Sequence, residues 1–140
     1  MKRKILHENI LKLFYHLGEA DNQFFSVRTF DEMMLRRSIP LPELQGGIKA
    51  LVAKNMLIVD GKGYKLSEAG LKDGQRITRL HRLWELYLSK YLRIEPDHVH
   101  DDAEAIEHII TPEIEQKLLD ILGKPIMDPH NVEIPYTKSN

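Results

Sequence analysis

The sequence LIVDGKGYKL, residues 57–66, places two short β-prone runs on either side of an Asp-Gly pair. An Asp-Gly pair between apolar runs is typical of the tight turn of a β-hairpin. Leu57-Ile58-Val59 and Tyr64-Lys65-Leu66 are therefore predicted to pair as antiparallel strands.

Three helices are predicted before this hairpin. Apolar residues recur at helical spacing between residues 5 and 17, and Gly18 is predicted to end the first helix. A second helix is predicted after Ser26, with Met34 on its buried face, and a third begins near residues 40–42, where Pro suits a first turn. Three helices followed by a hairpin is the order of a winged helix-turn-helix, a DNA-binding fold.

Helical patterns dominate the rest of the chain. One long helix is predicted from about Ser67 to Leu92, and its broad aromatic face suits either packing within the chain or a dimer contact. A short helix at 101–110 and another at 112–122, with Ile114 inward, are predicted before an irregular end at 125–135. The predicted fold class is mainly α with a small β-hairpin: a winged-helix domain at 1–75, followed by an all-helical domain at 76–140.

Composition narrows the classes of function. The absence of Cys excludes disulfides, thiolate metal sites and Cys nucleophiles. No apolar run approaches the roughly 18 residues of a membrane span and no signal-peptide pattern is present, so a cytoplasmic location is expected. Residues 1–76 hold 13 Lys and Arg against 9 Asp and Glu, whereas residues 77–140 hold 7 against 12, with five of the seven His. A mildly basic half thus precedes an acidic, His-rich half.

The His and acidic residues of the second half fall at helical spacings. His81 and Glu85 are four residues apart and share one face of the long helix. A second group shares a face of the next helix, with a further His near its start: Glu104, Glu107, His108 and His100. Nitrogen and oxygen ligands without sulfur suit Mn(II), Fe(II) or Zn(II), and a dication would relieve the repulsion among converging carboxylates. The alternative interpretation is a set of solvated pairs on helix surfaces; His98 and His130 are read as surface or loop residues.

Motifs typical of enzymes are missing. The chain has no His-Glu-x-x-His motif, and its glycines do not form a phosphate-binding loop. No Ser lies beside a convincing base. The sequence therefore favours a function other than catalysis.

Two motifs carry a resemblance to a known family. His81-Arg82-Leu83-Trp84-Glu85 and the stretch from Val99 to His108 closely resemble the diphtheria-toxin-repressor and manganese-transport-regulator family. The resemblance continues through Leu122-Gly123-Lys124-Pro125 and the stretch from Asp128 to Pro135, so it covers about residues 78–135. Residues 1–76 are collinear with the winged-helix domain of that family.

The resemblance implies a function and a set of ligands. His81, Glu85 and His100 match the ligands of one metal position, and the neighbouring position is matched by Glu104, Glu107 and His108. Glu104 is typical of the manganese-responsive branch, so Mn(II) is favoured over Fe(II) or Zn(II). The 76–140 domain would bind metal and dimerise, and the homodimer would bind DNA and repress metal-uptake genes. Gln45, Lys49 and Lys62 are the candidate DNA contacts.

The chain also departs from the family pattern. The family takes one ligand from its first helix, where this chain has Asn9 and Lys12, and Glu8 or His7 would substitute only in another register. Two glycines, Gly46-Gly47, stand where the family has base-reading side chains.

These departures keep a second function open. Related two-domain segments are fused to permeases of metal ABC transporters, and Met1-Lys2-Arg3-Lys4 would suit a cytoplasmic position beside a membrane span. The alternative is thus a cytoplasmic metal sensor attached in cis to a membrane permease. No further domain is expected after Asn140.

Overall fold

The computed structural model describes residues 2–91 and 112–136 of the 140-residue chain. These residues form five helices and one two-stranded antiparallel sheet, which confirms the predicted fold class. The elements are α1 (Lys2–Asp21), α2 (Phe30–Arg36), α3 (Leu41–Ala53), β1 (Leu57–Asp60), β2 (Gly63–Leu66), α4 (Glu68–Tyr91) and α5 (Pro112–Leu122). The chain divides into two compact units, Met1–Gln75 and Arg76–Asn140, and α4 contributes to both.

The first helix runs past Gly18, so the prediction that this glycine ends α1 is wrong. A Cβ atom at Gly18 would lie 2.9 Å from Cα of Phe24, so the glycine allows a close approach of the chain that follows the helix. The helix ends instead at Asp21, and the next residue, Asn22, has a φ of 58°, the left-handed conformation common after a helix C-terminus.

The second helix begins later than the sequence predicts. Thr29 is its N-cap, and its side-chain oxygen accepts a hydrogen bond from the backbone N–H of Glu32. Arg28 is held out of the helix because its backbone pairs with Tyr64 in an isolated β-bridge, with N–O distances of 2.7 and 2.9 Å. Met34 is 40% exposed, so its predicted place on the buried face is also wrong.

The third helix and the hairpin agree with the sequence prediction. The buried residues of α3 follow helical spacing: Leu44, Gly47, Ile48 and Leu51. Strand β1 pairs with β2 from Leu57–Leu66 to Asp60–Gly63, and Gly61 takes the positive φ of 60° that the turn needs. The exposed face of α3 and the hairpin turn are thus presented on a packed first unit.

The second unit packs α5 and the segment after it against the end of α4. Its core consists of Leu83, Leu118, Leu122 and Ile134, with Trp84 and Tyr87 among the side chains packed against it. The aromatic face of α4 is therefore engaged within the unit. Ile114 is 43% exposed, so its predicted inward position is wrong.

Helix α5 has the predicted bounds and ends at Gly123, whose φ is 71°. The predicted helix at 101–110 lies outside the described residues. In the described ranges, 2–91 and 112–136, no helix combines the length and apolarity needed to cross a membrane.

Candidate metal centre and DNA-binding surface

Two of the six predicted metal ligands lie in the described part of the chain, and both are on α4. His81 and Glu85 are one helical turn apart and only 5% and 3% exposed. Nε2 of His81 contacts a carboxylate oxygen, Oε1, of Glu85. The other four, His100, Glu104, Glu107 and His108, lie outside the described residues.

The second oxygen of Glu85 faces a residue that the sequence did not place in the site. Nδ1 of His130 lies 3.0 Å from Oε2 of Glu85. His130 does lie in a loop, as predicted, and its side chain is 42% exposed. Its ring nitrogen nevertheless reaches a carboxylate that is almost fully buried.

Asp128, two residues earlier, brings a second buried carboxylate to the same place. It is 7% exposed, and one of its oxygens, Oδ1, accepts hydrogen bonds from the backbone N–H groups of His130 and Val132 at 2.8 and 2.9 Å. One ligand atom each from Glu85, Asp128 and His130 lie within 4.8 Å of one another. The sequence analysis did not identify Asp128 as a candidate ligand, because its contact partners are either remote in sequence or backbone groups.

The donor set fits a divalent metal. Carboxylate and imidazole groups without sulfur are ligands for Mn(II), Fe(II) or Zn(II). Glu85 and Asp128 are both buried, and ionised carboxylates that are buried together are costly unless a cation compensates them. The partly exposed ring of His130 leaves one side of the group open to solvent.

The candidate ligands on α1 have mixed surroundings. Nδ1 of His7 lies 3.3 Å from Nζ of Lys54, and the pKa of His7 is lowered by burial and then by the charges of Lys54 and Arg3. Glu8 is 7% exposed. The side-chain oxygen of Asn9 is buried and accepts no hydrogen bond within the described residues. These surroundings disfavour His7 as a donor, because a cation, Lys54, already lies beside it.

The candidate DNA contacts are all exposed. Gln45 and Lys49 lie on α3 and Lys62 lies in the hairpin turn. Gln45 and Lys49 border a surface hollow whose other walls are Phe30, Val52, Val59 and Tyr64. A polar helix edge beside a hairpin is the arrangement that a winged helix presents to DNA.

The two glycines of α3 play different parts. Gly47 is buried, and a Cβ atom there would lie 2.4 Å from Cδ1 of Ile10 on α1. Gly46 is exposed, with nothing within 4 Å of its Cβ position. Of the two, only Gly46 therefore lies on the exposed face of α3, and Gly47 is explained by the close packing of α3 on α1.

Comparison with known proteins connects this site to a family. The family described as "Iron dependent repressor, metal binding and dimerisation domain" matches residues 67–136. The manganese regulator SloR is 27% identical, with a TM-score of 0.80 over 93% of this chain and 59% of its own. ScaR with bound Cd2+ is 31% identical, with a TM-score of 0.75 over 93% of this chain and 59% of its own.

A relative from Chlamydia trachomatis is described as a probable metal transport system membrane protein. It is 33% identical, and the match covers 91% of this chain but 29% of the relative. The family match extends over half of this chain, from the end of the hairpin to the loop that carries Asp128 and His130. The chain therefore belongs to the diphtheria-toxin-repressor and manganese-transport-regulator family.

Proposed function

We propose that this chain is a metal-dependent regulator that binds DNA as a homodimer when Mn(II) or Fe(II) is bound, and that it represses metal-uptake genes. The observation that carries the proposal is the buried carboxylate of Glu85, which contacts two imidazoles beside a second buried carboxylate, that of Asp128. In a family of metal-dependent regulators, such a group has a direct use as a metal site.

Two sets of residues would hold the metal. His81, Glu85 and His100 form one position, and Glu104, Glu107 and His108 form the neighbouring one. A bound dication supplies positive charge that offsets the buried carboxylates. The chain's own residues then orient the helices: His81 and Glu85 fix the ligand face of α4, and Leu83, on another side of the same helix, packs in the core of the second unit.

The donor chemistry favours Mn(II). The described donors are oxygen and imidazole nitrogen, and manganese suits such a set better than it suits sulfur ligands. SloR is described as a manganese regulator, and ScaR has been solved with Cd2+. Zn(II) would also bind, because affinity for divalent metals rises from manganese towards copper and remains high for zinc.

The DNA-binding role falls to the first unit. Gln45 would read a base edge, and Lys49 and Lys62 would contact phosphates. A homodimer would place two copies of α3 on half-sites about one helical turn of DNA apart.

Selection of DNA tests this function. The chain is incubated with a pool of random duplexes, with Mn(II) or with EDTA, and bound DNA is sequenced. We expect an enriched two-fold symmetric site with Mn(II) only. Lys49→Ala should weaken binding to that site and reduce the salt slope by about one unit, because one phosphate contact is lost. Mn(II) binding without any enriched DNA would contradict the repressor role.

A second candidate function is favoured by the Chlamydia relative. We propose as the alternative that the chain is the cytoplasmic metal-sensing part of a metal ABC transporter permease, with weak DNA binding or none. This relative, described as a probable metal transport system membrane protein, contains a segment 33% identical to this chain in 29% of its length, which supports the alternative. An antibody against residues 112–136 would detect a band several times larger than the chain, in the membrane fraction. A band of the size of the chain itself, in the soluble fraction, would favour the repressor.

A further inference from the structure

The beginning of α1 and the end of α3 carry three exposed cations, Arg3, Lys4 and Lys54, which we call the α1 cluster. Nζ of Lys54 lies 3.3 Å from Nδ1 of His7 on α1. Arg3 and Lys4 precede His7 by four and three residues, so they lie near its side of the helix. The cluster therefore spans both helices of the first unit.

The positive charge of this cluster is not neutralised by the described residues. Arg3 and Lys4 form no ion pair among them, and the polar partner of Lys54 is the imidazole of His7. Burial lowers the pKa of His7, and the charges of Lys54 and Arg3 lower it further. Glu8, the nearest acid in sequence, is only 7% exposed and contributes little to this surface. Exposed cations grouped in this way attract anions.

The cluster lies beside the exposed strip of α3, which runs between two borders. The strip consists of Gln45, Gly46, Lys49 and Ala53. On one border, Val52 lines the same surface hollow as Val59 and Tyr64 of the hairpin. The hairpin turn on this border carries a cation of its own, Lys62.

The other border of the strip faces α1. Gly47 lies against this helix, because its Cβ position is close to the side chain of Ile10. Lys54 follows Gly47 by seven residues, which is about two helical turns, so both lie on the same side of α3. The α1 cluster therefore borders the exposed strip on the side opposite the hairpin.

This arrangement matches the two sides of a DNA major groove. The groove is about 12 Å wide and a helix is roughly 10–12 Å in diameter, so a helix that lies in the groove has a phosphate strand on either side. With the exposed strip of α3 facing the bases, Lys62 would meet one strand and the α1 cluster would meet the other.

We propose that the α1 cluster is a second phosphate-binding surface, so that Arg3, Lys4 and Lys54 hold the DNA strand opposite the one that the hairpin contacts. This inference rests on the proposed DNA binding and deepens it. Because Gly46 offers no side chain to a base edge, phosphate contacts on both strands would supply affinity that α3 itself does not. That affinity is independent of base sequence.

The test uses the full chain with Mn(II) and the duplex that the selection experiment enriches. Ethylation interference identifies the phosphates that binding requires. We expect a Lys4→Gln, Lys54→Gln double variant to lose the required phosphates along one strand of each half-site, and Lys62→Gln to lose those along the other strand. A uniform electrostatic attraction would not divide the two strands in this way.

The double variant should also bind more weakly to specific and random duplexes alike. Its salt slope should fall by about 2 units, since each phosphate contact contributes about 0.9. Lys72→Gln with Lys117→Gln removes the same charge from exposed positions of α4 and α5 and is the matched control. The control should keep the slope and the interference pattern of wild type, with unchanged circular dichroism in both double variants.

An unchanged slope and interference pattern in the Lys4→Gln, Lys54→Gln variant would overturn this inference and leave the proposed repressor intact. A competing partner is an anionic membrane, whose headgroups also attract clustered cations. Normal DNA binding by this variant, with lost binding to vesicles of phosphatidylglycerol and phosphatidylcholine, would assign the cluster to that partner and overturn the inference as well. If the wild-type chain binds no DNA, the proposed function itself fails.

Discussion

The two units of this chain each contain a cluster of charged groups, but the charge is balanced differently in the two clusters. In the first unit Arg28, whose side chain is 3% exposed, donates to both oxygens of Asp21 at 2.6 and 3.0 Å and to Glu32 at 2.9 Å. In the second unit Glu85 contacts two imidazoles, whose charge depends on protonation, beside the carboxylate of Asp128. The first cluster thus contains a permanent cation, the Arg28 guanidinium. The second contains side chains suited to bind a metal cation from solution.

The difference shows how a structural ion cluster and a candidate metal site differ. The guanidinium of Arg28 also donates to the backbone carbonyl of Gln23 at 2.7 Å. The backbone of Arg28 bridges to the hairpin at Tyr64, so this one residue ties α1, α2 and the hairpin together. Its partners Asp21 and Glu32 are about 40% exposed and remain hydrated. Glu85 and Asp128 are both more than 90% buried. In the second cluster it is therefore the anions that are buried, whereas in the first it is the cation. Because buried anions are costly without a compensating charge, the stability of the second cluster is expected to depend on a bound cation.

The largest expected effect is the loss of metal binding in Glu85→Gln. Removing the central carboxylate should lower Mn(II) affinity by more than about 100-fold, beyond the roughly 10–100-fold effect of residues that only orient a ligand. Wild type at a metal concentration of 100 times Kd should gain about 2.7 kcal/mol of stability, and Glu85→Gln should gain almost none at that concentration. Calorimetric titration and thermal unfolding measure the two effects. Glu113→Gln, an exposed acid of α5, is the control. Equal metal stabilisation in both variants would contradict the contrast between the units.

The next effect is the loss of stability in Arg28→Met. The variant loses the hydrogen bonds that Arg28 makes to Asp21, Glu32 and the carbonyl of Gln23. Because the two carboxylates regain water, we expect a loss of about 2–3 kcal/mol, rather than the larger cost of isolating a buried charge. Urea unfolding without metal measures it, with Arg36→Met in the exposed last turn of α2 as the control. An Arg28→Met chain as stable as this control would show that the cluster is not structural.

Local sequence signals predicted those parts of the fold that depend on neighbouring residues. The Asp-Gly turn predicts the hairpin because one dipeptide fixes the backbone conformation there. Gly18 misleads because a glycine suits a close tertiary approach, here to Phe24, as well as a helix end.

The candidate site was predictable only in part, because sequence patterns reveal contacts between residues that are near one another in the chain. His81 and Glu85 share a helix face, so their spacing reveals the pair. His130 is 45 residues from Glu85 in sequence, and no periodicity joins a loop residue to a helix. The available signal was the pattern Asp128-Pro129-His130-Asn131, a turn that carries two ligand-type side chains.

A smaller effect on the free energy of unfolding is expected when the two glycines of α3, in the first unit, are each replaced by alanine. Gly47→Ala should cost about 1–2 kcal/mol, because its Cβ must displace the end of the Ile10 side chain, 2.4 Å away. Gly46→Ala meets nothing within 4 Å and should add about 0.5–1 kcal/mol, since alanine favours the helix. Urea unfolding of the two variants should therefore move in opposite directions. A stabilising Gly47→Ala would contradict the close packing of α1 on α3.

The smallest effect is a pH dependence of the stability that the first cluster provides. Hydrogen bonds from Arg28 lower the pKa of Asp21 below its ordinary value of 3.8. Because the unfolded chain binds this proton more readily than the folded one, the stabilisation is complete above pH 3.8 and is lost as the pH falls through the lower, folded value. Asp21→Asn should therefore be less stable than wild type at pH 6, and the difference should shrink as the pH falls towards 2. In an Arg28→Met background the Asp21→Asn substitution should have almost no effect at either pH, because the interaction is already absent. A difference that persists in that background would mean that Asp21 acts through another contact, such as its hydrogen bond from the backbone of Gln23 at 3.0 Å.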